Sequence, residues 1–133
     1  MPILFNKVER GNPLDKSAAK KWYPTLKTIS RVAEKDVAKE IADETTLNRK
    51  EAEMALDQLE KVLIKNLLAS NSVKLGDWGT FHLTCNGTAS DTKDGVTANN
   101  IKNLNIRFVA GQSLKNALDE ASFIAAESVV SKQ

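Results

Sequence analysis

The sequence predicts an α+β fold: a helical hairpin, an antiparallel sheet carrying a long β-arm, and a closing helix, all behind a two-strand extension. Three observations carry that prediction. Asn48–Ala69 has apolar residues at helical spacing (Ala52, Ala55, Leu56, Leu59, Val62, Leu63, Leu67). Gly76-Asp77-Trp78-Gly79-Thr80-Phe81 is a glycine-bounded turn between strand-like segments. Leu104–Val109 alternates Leu104, Ile106 and Phe108 with Asn105 and Arg107, then meets the turn Ala110-Gly111-Gln112-Ser113.

Ile3–Arg10 opens on apolar residues, continues with a rough period of two, and reads as the first strand. Gly11-Asn12-Pro13 is a turn signal, and Leu14–Lys21 is a polar, basic loop. Trp22–Ile29 is a second strand. Pro24 has no ladder N–H, so this strand lies at an edge or starts after the proline. The two strands are expected to pair as an extension of a larger sheet.

A helix starts at Ser30 or Ala33 and ends near Glu44, with Val32, Val37, Ala38, Ile41 and Ala42 at helical spacing and Glu34 and Asp36 near its positive end. Thr45-Thr46-Leu47 leads into the central helix, so the two helices form a hairpin. Asn48-x-x-Glu51 is a capping box at the central helix's start. Its second half is apolar over a wide arc, through Leu59, Val62, Leu63, Ile64, Leu67 and Leu68. Such a helix is buried on more than one side. A domain this small has little surface with which to wrap it, so a second subunit is the preferred cover. The alternative is a central helix inside one monomeric domain.

Val73-Lys74-Leu75 and Thr80–Cys85 are strands flanking the turn, with Phe81 and Leu83 on one face and Thr80, His82 and Thr84 on the other. Asn86–Asn100 has almost nothing to bury and reads as a flexible excursion. The last helix carries Leu114, Ala117, Leu118 and Ala121, and 124–133 reads as a loosely held tail. The expected boundaries are 1–30 for a basic β extension, 31–123 for the body and 124–133 for the tail, with no internal repeat.

Composition narrows the function. The 133 residues are 41% hydrophobic and 27% charged, as in a soluble globular domain. No apolar run approaches the roughly 18 residues of a membrane span, and Met1–Phe5 is too short for a signal core. No membrane association and a cytoplasmic location are expected. The single cysteine, Cys85, cannot form an internal disulfide and suits a reducing compartment. Net charge is +2, unevenly spread: residues 1–39 hold nine Lys/Arg against four Asp/Glu, and residues 40–80 hold five against eight. A basic N-terminal third can meet a polyanion, although charge alone fits a solvated surface equally well.

Catalytic chemistry finds no foothold. His82 and Cys85 lie three apart on a strand and point to opposite faces, which makes no shared metal site. With one histidine there is no triad, and there is no phosphate-binding glycine loop. Asp91 and Asp94 sit in the solvated arm, without the burial that tunes a carboxylate for proton transfer. A non-enzyme is expected, without cofactor, metal or small-molecule substrate. Trp78 reads as a core plug. Trp22 and Tyr23, beside Lys20 and Lys21, could stack on bases or contact phosphate, but packing of their strand on the body is preferred.

Three stretches together resemble the HU and integration-host-factor family of bacterial nucleoid proteins. They are Ile41-Ala42 with Leu47–Leu56, Val73–Phe81, and Phe108-Val109-Ala110-Gly111-Gln112-Ser113-Leu114-Lys115. With the arm they span about residues 33–120. Met1-Pro2-Ile3-Leu4-Phe5 and Lys20-Lys21-Trp22-Tyr23-Pro24 resemble the extension of the family's Bacteroidetes branch. The resemblance implies an intertwined homodimer whose two β-arms reach around double-stranded DNA. It also implies an affinity that is mostly electrostatic, with an apolar wedge at each arm tip.

The sequence departs from that pattern in the arm. Thr84-Cys85-Asn86 stands where relatives place arginines, there is no Arg-Asn-Pro tip, and Asp91, Lys93, Asp94 and Gly95 make the tip acidic. The DNA contacts expected here are therefore Lys74, Lys93, Lys102, Arg107 and Lys115 from the body, and Lys16, Lys20, Lys21 and Lys27 from the extension. Each is a phosphate contact, which positions but does not specify. The resulting reading is an HU-like, histone-like nucleoid protein with sequence-tolerant duplex binding. The alternative is an HU-fold interaction or structural module that has lost the arm chemistry.

Overall fold

A computed structural model describes residues 1–130. The elements run β1 (Ile3–Arg10), β2 (Lys21–Leu26), α1 (Glu34–Glu44), α2 (Arg49–Leu68), β3 (Val73–Leu75), β4 (Gly79–Gly87), β5 (Ile101–Ala110), α3 (Gln112–Asp119), β6 (Phe123–Ala125) and α4 (Ala126–Val130), with one 3-10 turn at Ala98–Asn100. The described residues are thus mixed α+β, with four helices and two three-stranded sheets. The chain divides into two compact units. One is Met1–Val32 with the chain from Leu118 onward, and the other is Ala33–Ala117.

In the first unit, β1 pairs antiparallel with β2, from Phe5 opposite Leu26 to Arg10 opposite Lys21. Pro24 lies inside β2, opposite Lys7, and β2 is an edge strand, as its missing N–H requires. Among the described residues the two strands do not extend the β3-β4-β5 sheet. Their third neighbour is β6, parallel to β1, with Ile3 opposite Phe123 and Phe5 opposite Ala125. The stretch expected as a loose tail from 124 onward is therefore strand and helix through Val130, and its last three residues lie outside the described ones. The physical reason is the open edge of β1, whose backbone groups the apolar run Phe123-Ile124-Ala125 satisfies. Lys7 forms a 3.0 Å ion pair with Glu127, and Ala126 is buried beside them.

In the second unit, α1 and α2 form the expected hairpin. Asn48 Oδ1 accepts from the Glu51 N–H at 2.9 Å, and Glu51 Oε1 accepts from the Asn48 N–H at 3.3 Å. Ala33, at the start of α1, has no side-chain acceptor. Only the return half of a box forms there, Asp36 accepting from the Ala33 N–H at 3.3 Å. The end of α2 is a Schellman turn: the Asn71 N–H donates to the Asn66 carbonyl at 3.0 Å and the Ser70 N–H to that of Leu67 at 3.1 Å. Ser70 carries the left-handed conformation this needs, at φ 70°.

The second sheet has the order β3-β4-β5. Trp78, Phe81 and Phe108 pack their rings together, with centroids 4.9 to 6.1 Å apart. Of the two turn glycines, Gly76 adopts φ +57°. Gly79 is needed for space instead, since a Cβ there would lie 2.0 Å from the Phe108 ring.

The excursion expected over Asn86–Asn100 is shorter than its composition suggests. β4 continues to Gly87 and β5 starts at Ile101, so the arm is a paired ribbon closed by residues 88–97 and the 3-10 turn. Its base is laced by Thr88 N–H to the Asn100 carbonyl at 2.8 Å and Asn100 Nδ2 to the Thr88 carbonyl at 3.0 Å. Backbone pairing supplies this order, and it leaves no trace in side-chain hydrophobicity.

Very little is fully buried. Among the described residues the buried hydrophobics are Ala38, Ala52, Leu67 and Ala126. On α2, Met54 and Leu68 are 69% and 70% exposed, and on β5, Leu104 and Ile106 are 59% and 60% exposed. No helix among the described residues is long and apolar enough to cross a membrane.

Candidate nucleic-acid interface

Register decides which side chains of the β3-β4-β5 sheet share a face, because directly opposed residues point the same way. Val73 opposes Phe81, Phe81 opposes Phe108, and Leu83 opposes Ile106, which defines an apolar face. Lys74 opposes Thr80, His82 opposes Arg107, and Thr84 opposes Asn105, which defines a polar one.

Strict alternation along β5 would put Lys102 on the apolar face, with Leu104, Ile106 and Phe108. A β-bulge prevents this. Pairing jumps from Thr84–Asn105 to Asn86–Lys102, so Asn103 and Leu104 together face the single residue Cys85. Asn103 takes φ 51°, a left-handed conformation that asparagine tolerates better than most residues, and its carbonyl accepts from Asn105 Nδ2 at 2.8 Å. The extra residue turns Lys102 onto the polar face, and Ile101 onto the apolar one.

Lys74, Lys102 and Arg107 therefore share one face of one sheet, with His82, Thr84, Asn86 and Asn105 between them. All three cations are exposed, and among the described residues none forms an ion pair. The face presents cations and neutral hydrogen-bonding groups, with Val109 opposite Thr80, and without a carboxylate in the paired stretches. It can hold anionic oxygen atoms. Among the described residues no group of three His, Cys, Asp or Glu could hold a metal.

The other expected contacts lie elsewhere. Lys93 is in the loop closing the arm, flanked by Asp91 and Asp94. Lys115 is on α3, whose first turn is strapped to the 76–79 turn. The Gly111 N–H donates to the Trp78 carbonyl at 2.8 Å, Ser113 Oγ to the Asp77 carbonyl at 2.8 Å, and the Lys115 N–H to the Gly111 carbonyl at 3.1 Å. Lys16 and Lys20 are in the β1–β2 connection and Lys21 starts β2. Lys27 follows β2, and its N–H donates to the Leu4 carbonyl at 2.9 Å. These four belong to the other compact unit.

Two residues outside the expected contacts face members of that set. Arg10 is directly opposite Lys21, and His82 is directly opposite Arg107. The second pairing follows from the turn's register. The first needed the length of the β1–β2 connection, which composition does not fix.

The chain matches a family model described as an HU domain fused to wHTH, Ig, or glycine-rich motif, over residues 1–125. It is 30% identical over 81 residues to proteins named DNA-binding protein HU from two strains of Caulobacter vibrioides; the match covers 59% of this chain and 88% of the relative. Its fold is similar to that in a crystal structure of a candidate bacterial DNA-binding protein from Bacteroides vulgatus, with a TM-score of 0.64 at 13% identity, covering 93% of this chain. The chain spans about half of that protein, 48% of its length.

Proposed function

The chain belongs to the HU-HIG family of HU domains, and on that premise we propose that it is a nucleoid-associated homodimer that binds duplex DNA with little sequence preference. The observation that carries this reading is the common face of Lys74, Lys102 and Arg107. Cations set along a sheet suit phosphate contacts, which supply affinity and orientation but no sequence information. Lys115, at the start of α3, and Lys93, in the arm loop, extend the set. The arm has no proline between Asn86 and Asn100, so the reading rests on phosphates and not on a wedge between base pairs.

Dimerisation is supported by exposed surface. The chain exposes 11344 Å², whereas two compact units of these sizes would together expose on the order of 8,000 Å². The apolar arc of α2 and the apolar face of β5 account for part of the excess. A second copy would cover both.

The test is fluorescence anisotropy with a mixed-sequence duplex of about 30 base pairs at low and near-physiological salt, a probe suited to phosphate-dominated binding. Micromolar or tighter binding that falls steeply with salt is expected. Lys102→Glu with Arg107→Glu should weaken it and flatten the salt slope by about two for each protomer engaged, one for each lost phosphate. Unchanged affinity in that variant would remove the sheet face from the interface. Absence of binding at low salt would overturn the DNA reading itself.

A further inference from the structure

We propose that the tip of the β1–β2 hairpin is a separate site for single-stranded nucleic acid, in which Arg10 and Lys21 hold a phosphodiester and Tyr23 stacks an unpaired base. The proposal goes beyond the duplex reading and does not depend on it: Arg10 and Tyr23 are outside the expected duplex contacts, and the face of Lys74, Lys102 and Arg107 that carries that reading lies in the other compact unit.

Arg10 and Lys21 are directly opposed across an antiparallel pair. Directly opposed like charges destabilise a sheet, so this pairing is at odds with the strand's own stability unless an anion lies between them. Among the described residues neither side chain forms an ion pair. Glu9, the nearest carboxylate on β1, opposes Trp22 on the other face. Asp15, in the connection, accepts from Ser17 Oγ at 2.6 Å and from the Ser17 N–H at 3.0 Å, so its charge is held within its own turn. Lys16 and Lys20 add two further cations to the same connection.

The pair lines a cleft of about 410 Å³, which Tyr23 and Pro13 also line. Tyr23 is 45% exposed and opposes Val8, on the same face as Lys21. Two residues of strand set it roughly 6.6 Å further along. A lone phosphate would satisfy the cations and leave the ring unused. In a duplex the bases are stacked on one another, away from a ring at phosphate level. A single strand offers both a backbone for the cations and an open base face for the aromatic ring, which is the usual make-up of a single-strand platform.

The test uses the full chain and a labelled ten-thymidine strand, with the 30-base-pair duplex as comparison. Wild-type protein should bind the strand. Arg10→Glu with Lys21→Glu should weaken that binding at least about tenfold and should cost the duplex, for which Lys21 is an expected phosphate contact only, a distinctly smaller factor. Tyr23→Ala should cost at least about fivefold and Tyr23→Phe should retain binding, since stacking needs the ring alone. Arg10→Lys, which keeps the charge, should also retain it and serves with far-ultraviolet circular dichroism as the folding control. The proposal is overturned by lack of binding to the strand, by equal losses for strand and duplex, or by a Tyr23→Ala variant that binds normally. Complete displacement by millimolar inorganic phosphate would reduce the site to a simple anion pocket and overturn it as well. Failure of duplex binding with the strand results intact would leave this proposal standing and remove only the duplex reading.

Discussion

A methyl group at Gly111 would lie 2.1 Å from the Asp77 carbonyl oxygen and 2.7 Å from its carbon. These are backbone atoms of the turn that the Gly111 N–H itself clasps at Trp78, so no side chain can swing aside. Gly111→Ala should therefore destabilise the protein by about 3 kcal/mol, at the upper end of overpacking costs, read as a lower urea midpoint. It should also weaken DNA binding through Lys115, four residues into the same strap. Ser70 offers the opposite case. It holds φ 70° at the end of α2, a conformation that costs an L-residue roughly 1–2 kcal/mol and glycine nothing. Ser70→Gly should stabilise by about 0.5–1 kcal/mol, after glycine's larger loss of chain entropy is subtracted. A lower midpoint in that variant would show that the Ser70 side chain contributes more than its strain costs.

At the scale of elements, legibility followed the kind of force involved. The range Ile3–Arg10, the Asn48–Glu51 box and the Val73–Leu75 strand were readable because local side-chain chemistry determines them. The paired arm, the bulge at Asn103 and the parallel β6 were not, because inter-strand backbone bonds determine those, and every residue carries them. The common face of Lys74, Lys102 and Arg107 was legible only as a list of basic residues; the bulge that brings Lys102 onto it was hidden. The hairpin of α1 and α2 also hides a carboxylate cluster. The Asp57 carboxyl shares a hydrogen bond with Glu34, and with Glu60 and Glu53 nearby holds the Glu34 carboxyl above its usual range. A raised folded-state pKa contributes stability below the ordinary carboxylate range, and that contribution is lost as pH rises through the raised value. Glu34→Gln should therefore be more stable than wild type at neutral pH, with the gap closing below about pH 4. Thermal melts between acid and neutral pH measure it, and a gap that widens on acidification would contradict the shared hydrogen bond.

For the whole molecule, the surface decides what the chain can be. Among the described residues the buried hydrophobics are Ala38, Ala52, Leu67 and Ala126, whereas ordering each backbone residue costs roughly 1–2 kcal/mol. A folded domain typically retains only about 5–15 kcal/mol, so covering a further apolar face would add a large share of it. In the proposed homodimer, further burial would come from another copy laid against the apolar arc of α2 and the ring cluster of Trp78, Phe81 and Phe108. Trp78, 42% exposed in the single chain, should be covered in that assembly. Folding and association would then be one reaction, and stability would rise with protein concentration by mass action. Sedimentation at micromolar concentration should give twice 14.6 kDa, and the melting temperature should climb as the protein is concentrated. Trp78→Ala should shift the mass toward the single chain and lower the melting temperature, with a stability loss of about 3–5 kcal/mol for a fully covered aromatic. A monomeric mass with a concentration-independent melt would mean that the sheet and helix faces stay bare, and the duplex would then meet one β-arm instead of two.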